Sequence, residues 1–110
     1  MQDLWNDIER DAAELRRATY EMKEMGRAKA RAESEYQARK YSVALRLRTQ
    51  GVPATVIGAT VKGHPDVVGL LLARDIAESD WEVQREIINT LKKCIEVNRA
   101  QYEREWSQCR

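Results

Sequence analysis

The chain has 110 residues, with 19 Lys and Arg against 18 Asp and Glu, one His, and a net charge of +1. Five Gly and two Pro encode few chain reversals, which excludes a sandwich or barrel needing a turn about every 8–12 residues. One His and two Cys exclude most metal-ligand sets and any catalytic arrangement that needs more than one His, and the near-neutral balance lacks the bulk basic footprint of a nucleic-acid binder.

The first residues, Met1-Gln2-Asp3-Leu4-Trp5-Asn6-Asp7, are acidic and lack the hydrophobic centre of a secretory signal. From Leu4 to Arg48 there is no Pro and one Gly, Gly26, and the strong helix formers Ala, Glu, Arg, Lys, Met and Leu dominate. Alternating steps of three and four give Met1, Leu4, Ile8, Asp11, Leu15, Ala18, Met22, Met25, Lys29, Ala32, Tyr36, Arg39, Val43 and Arg46. Most of these are apolar, so the spacing predicts one helix over 3–50. Near its end Ala44 and Leu47 fit the stripe better, the drift of a 3.6-residue turn against a 3.5 repeat. Arg46 and Arg48 suit the negative end of the helix dipole, Gly51 can take a left-handed cap, and Pro53 cannot continue the helix.

Residues 51–64 read as a corner, either a short helical turn or a compact loop. Val52, Val56, Ile57 and Val61 are expected to plug the end of the helices. Two strands about Gly58 would have only three or four residues each. Gly63-His64-Pro65-Asp66 then starts a second helix over 65–108, with Pro at the first helical position and His64 as a cap or surface group. Its stripe is Val67, Leu70, Ala73, Ala77, Trp81, Gln84, Ile88, Leu91, Ile95, Asn98, Tyr102 and Trp106. At 1.5 Å per residue each helix is about 65–70 Å long, a length that points to a coiled coil.

The expected fold is therefore all-α: a single domain over 1–110, formed as a long antiparallel helical hairpin. Its predicted core is Leu4, Ile8, Leu15, Met22, Tyr36, Leu47, Leu70, Trp81, Ile88, Leu91, Ile95 and Trp106. Cys94 sits among apolar positions and reads as a small core residue rather than a reactive thiol. Cys94 and Cys109 lie about 22 Å apart along one helix, too far to bridge. The longest apolar run, Val67 to Ala73, falls well short of the roughly 18–20 residues of a bilayer span. A reduced, cytoplasmic protein is the expectation.

Charge by segment tests the hairpin. Residues 1–25 carry −3, 26–50 carry +5, 66–90 carry −4 and 91–110 carry +2. Folding back about residue 58 sets opposite signs side by side at both ends. In that register Asp75, Glu78, Asp80, Glu82 and Glu86 neutralise the basic segment, and Asp80 pairs with Arg39 or Lys40. Gln84 and Asn98 are expected to fix register as polar groups within the stripe.

The second helix carries more apolar surface than one partner helix can cover. Ile76, Val83, Ile87, Cys94 and Val97 lie roughly 100° to one side of its main stripe. This second set predicts self-association, most simply a two-fold dimer forming a four-helix bundle.

No chemistry stands out. No second His, Cys pair or Gly-rich phosphate loop accompanies His64, so neither catalytic residues nor metal ligands nor a cofactor are assigned. Trp5, Trp81 and Trp106 read as packing anchors. Nucleic-acid contact has two candidate places. One is the basic segment 27–48, with Arg27, Arg31, Arg46 and Arg48. The other is the corner 51–64, where a helix, a glycine turn and a short helix imitate a helix-turn-helix.

Tyr41 to Arg48, Gly51-Val52-Pro53, Lys62-Gly63, the run Leu72-Ala73-Arg74-Asp75-Ile76-Ala77-Glu78 and Glu105-Trp106 resemble small helical proteins encoded by prophages of Gram-positive bacteria. The resemblance covers residues 36–106 and implies a phage-associated accessory protein. It assigns no functional residue. The leading expectation is a non-enzymatic protein acting through helix-mediated protein–protein contacts, as a homodimer or with another protein and without a membrane. The alternative is a nucleic-acid-associated phage protein.

Overall fold

The computed structural model describes residues 2–109, and Met1 of the predicted stripe lies outside them. Among these residues there are three helices and no strand: α1 (Gln2–Thr49), α2 (Ala54–Lys62) and α3 (Pro65–Cys109). The chain is an all-α helical hairpin. Its residues group into two compact units, Met25–Trp81 and the paired segments Met1–Glu24 and Glu82–Arg110.

In the unit Met25–Trp81 the chain reverses for local reasons. Gly51 has φ 86°, a left-handed conformation that a Cβ disfavours. Its N–H donates to Arg48 O at 3.1 Å, and the N–H of Val52 donates to Leu47 O at 3.0 Å. These two bonds form a Schellman cap, and Val52 packs on the cluster that holds Leu47. Pro53 then supplies the carbonyl that accepts the Val56 N–H at 3.1 Å, which opens α2. The corner is thus helical rather than two-stranded about Gly58.

His64 caps α3. Its carbonyl accepts from Val67 and Val68, and its Nδ1 accepts the Asp66 N–H at 3.1 Å. Pro65 has no N–H to satisfy at the position that follows. The α2 and α3 axes meet at 59°. Among the described residues no single helix is long and apolar enough to cross a membrane.

The core of this unit is Tyr36, Val43, Leu47, Val61 and Val67, with Ala44, Val52, Ile57, Leu70 and Leu71 against it. Ile57 and Val61, one turn apart on α2, face inward. Val56 lies about 100° round the helix and is exposed, so it does not plug the corner as expected. Around Tyr36, the guanidinium of Arg74 lies 4.6 Å and the Lys40 ammonium 5.8 Å from the ring centroid.

The unit Met1–Glu24 with Glu82–Arg110 is an antiparallel helix pair. Ile8, Ala18 and Ile88 are buried, and Leu4, Leu15, Met22, Leu91 and Ile95 are half-buried. Trp5 and Tyr102 meet with ring centroids 5.3 Å apart. Gln84, only 5% exposed, donates its Nε2 to the Ala18 carbonyl at 2.9 Å. It is a polar group within the apolar stripe that finds its partner on the facing helix. Asn98 is half-buried.

Three core or register expectations are corrected. Trp106 is 48% exposed, because Trp5 already pairs with Tyr102 and little of α1 remains to face a residue one turn further on. Cys94 is exposed rather than a core residue. Arg39 and Asp80 are both exposed and form no ion pair with each other among the described residues. The Lys29 ammonium sits 4.4 Å from the Trp81 ring, so Asp80 lies level with the region of Lys29. Arg39 is ten residues further along α1, about 15 Å away. The pairs Glu33–Arg74 and Arg46–Asp66 centre the reversal before residue 58, because α2 takes up corner residues as a helix of its own.

Candidate interaction surface

An α-helix that serves one partner carries one apolar stripe. In Glu82–Arg110, α3 carries two. Ile88, Leu91 and Ile95 turn toward α1. Val83, Ile87, Cys94 and Val97 lie round the helix and stay in solvent, with Val83 57%, Ile87 44% and Val97 64% exposed. The intervals along this row alternate four and three once Thr90 is included, the spacing of a coiled-coil seam. Thr90 is the polar member of the row, and the seven-residue interval between Ile87 and Cys94 is the sequence signal for it. In Met25–Trp81, Ile76 is likewise exposed, at 52%.

Charges edge the row. On α3, Glu86 and Lys93 are exposed, one heptad apart, and neither makes an ion pair among the described residues. On α1 a line of ion pairs runs alongside. Arg10 meets Asp7 at 3.2 Å and Asp11 at 3.5 Å, and Arg17 meets Glu14 at 2.6 Å and Glu21 at 3.8 Å. A groove of about 450 Å³ lies between these edges, lined by Arg10, Asp11, Lys93, Cys94, Val97 and Asn98.

The basic residues do not act together. Arg46 is bound to Asp66 at 3.1 Å, and Arg27 is engaged within the chain. Arg31 and Arg48 are exposed without a close ion pair among the described residues. The hydrogen bond from Arg46, with help from the nearby His64 and Arg39, holds the Asp66 carboxyl below its ordinary pKa. The expected neutralisation by acidic residues of the following helix is only partly realised. Asp75 pairs with its neighbour Arg74, while Glu78 and Asp80 make no ion pair with α1 among the described residues. The polarity is even reversed at one place, where Arg74 of α3 meets Glu33 of α1 at 3.5 Å.

A second concavity, about 460 Å³, lies in Met25–Trp81 between Lys29, Glu33, Arg74, Glu78 and Trp81. Lys29 is stacked on Trp81, and Arg74 is paired with Glu33 and Asp75. The lining offers no thiol, hydroxyl or imidazole, and His64 is occupied as a cap. Among the described residues no three His, Cys, Asp or Glu side chains gather as metal ligands.

Compared with models of known protein families, with curated proteins and with solved structures, the chain matches none.

Proposed function

We propose that this chain is a non-enzymatic interaction protein that works as a homodimer through the second apolar face of α3. One observation carries the reading: Val83, Ile87 and Val97 recur on the solvent side at coiled-coil intervals. Single exposed apolar residues are ordinary on a protein surface, but a row at seam spacing is what a partner helix covers. A helix pair this small also buries little surface for its length, and helices of this kind owe most of their stability to packing. Burying the row adds the missing contact.

The resemblance of residues 36–106 to prophage-encoded helical proteins supports a phage-associated accessory role in the host cytoplasm. Sedimentation velocity on the full chain tests the dimer. At tens of micromolar it sediments as a dimer, and Ile87→Glu shifts it to monomer while circular dichroism keeps its helical signal. A parent chain that is monomeric at that concentration refutes the reading.

A second reading is nucleic-acid contact through Arg31 and Arg48, favoured by their exposure without close counter-charges. It calls for a mobility shift that weakens with added salt and with Arg31→Ala/Arg48→Ala. Binding unchanged by either refutes it.

A further inference from the structure

We infer that α3 packs antiparallel on α3 of a second copy in one register, with the two-fold axis passing between residues 88 and 89. The inference rests on the homodimer proposed above and adds which residues meet.

Val83, Ile87, Thr90, Cys94 and Val97 alternate between the two seam positions of a heptad, with Ile87 and Cys94 as one type and Val83, Thr90 and Val97 as the other. An antiparallel seam pairs one type with the other across the interface. A two-fold axis makes every contact occur twice. Only a few registers satisfy both conditions, each separated from the next by half a heptad of axis movement.

Charge chooses among them. Glu86 and Lys93 occupy the same outer flank of the row, on the side away from α1. With the axis at Arg85, Glu86 faces the partner's Glu86. With the axis at Lys92, Lys93 faces the partner's Lys93. With the axis between residues 88 and 89, Glu86 meets the partner's Lys93 and Lys93 meets the partner's Glu86. Like charges held opposite each other oppose pairing, and opposite charges on the flanks select partner and orientation. Both side chains are exposed and unpaired among the described residues, so the second copy satisfies them without breaking an internal contact.

In the selected register the central layers are apolar or small, and Val97 lies beyond them, level with the partner's Asp80. Val83 packs on the partner's Cys94, and Ile87 on the partner's Thr90, each twice. The thiol serves there as a small apolar side chain, which accounts for a cysteine on an otherwise exposed face. The α1 line that edges the row adds a second match. In order, Arg10, Glu14, Arg17 and Glu21 alternate in sign, so the line is complementary to its own reverse, as an antiparallel two-fold requires.

The test uses the full chain. Sedimentation equilibrium at low salt compares the parent with Glu86→Lys, Lys93→Glu and the double variant. Each single change makes like charges meet twice and weakens the dimer about tenfold, while the double swap restores it to within about twofold. Contact is read directly in a Cys109→Ser background. There Val83→Cys forms a covalent dimer under mild oxidation through the partner's Cys94, and adding Cys94→Ser abolishes it. A monomeric parent overturns this inference together with the homodimer. A dimer that ignores both single charge changes and gives no Val83→Cys cross-link overturns the register alone and leaves the homodimer standing.

Discussion

Gln84 is the place where one atom decides the packing of α3 on α1, and Gln84→Glu tests it at constant shape. The side chain is 5% exposed, and its Nε2 donates to Ala18 O at 2.9 Å with Glu21 Oε2 at 3.4 Å. The substitution replaces that donor with an oxygen aimed at a carbonyl and a carboxylate. The lost hydrogen bond costs about 1 kcal/mol. Burial and the neighbouring Glu21 carboxylate raise the new carboxyl's pKa in the folded state, and holding a charge there at pH 7 adds roughly 1–3 kcal/mol. The sum is about 2–4 kcal/mol, or a fall in Tm on the order of 10 °C for a chain of this size. The pH dependence has a definite sign. The folded pKa lies above the unfolded one, so the deficit is small below the unfolded value, grows as pH rises through the folded value, and is constant above it. At low pH the protonated carboxyl donates to the Ala18 carbonyl again. Thermal melts by circular dichroism at pH 7 and pH 4, each against the parent and Gln84→Met, measure this. Equal stability of Gln84→Glu and parent at pH 7, or a deficit that does not shrink at pH 4, would refute the assigned hydrogen bond.

Gly51→Ala, at φ 86°, costs about 1 kcal/mol in denaturant melts, and Gly51→Asn costs less because Asn tolerates that conformation. Val67→Ala removes a side chain with 0% exposure and costs about 2 kcal/mol, while Val68→Ala, at 47% exposure, stays within about 0.5 kcal/mol. Arg46→Met returns the Asp66 carboxyl toward its ordinary pKa in a titration followed by carbon NMR, since the Arg46 hydrogen bond is the main cause of its lowering. The folded pKa lies below the unfolded one, so the stability this pair contributes is full above the ordinary carboxylate range. It is lost as pH falls through the folded value, and the parent and Arg46→Met therefore converge in acid.

The helix boundaries were legible because their causes are local. Gly51, Pro53 and Pro65 each act through their own backbone, and α1 and α3 end within a residue or two of the predicted limits. Gln84 was legible because a polar residue in an apolar stripe must find a partner. The register was not. A symmetric corner places Asp80 beside Arg39, but nine residues of that corner wind into α2 and shift the partners of α3 along α1. No local signal states how much length a corner consumes. Trp106 and Cys94 were misjudged for a related reason. Periodicity says which residues share a face, and only the partner's extent and position say whether that face is covered. The same limit worked the other way for Ile76, Val83, Ile87 and Val97, whose surplus over one partner was visible in the sequence and whose exposure the structure shows.

The cluster of Tyr36, Val43, Leu47, Val61 and Val67 is drawn from one continuous stretch of chain, and this bears on the order in which the protein assembles. The Arg46–Asp66 contact closes 20 residues, whereas Gln84 to Ala18 closes 66. On loop-closure entropy the longer one costs about 1 kcal/mol more, unless the shorter one has formed first. Folding therefore starts at the reversal and zips toward the two chain ends. In refolding kinetics Val43→Ala slows folding with φ near 1, while Ile8→Val mainly speeds unfolding, with φ near 0. The reversal is then the nucleus as well as the turn, and the far helix pair, last to close, is the first to open.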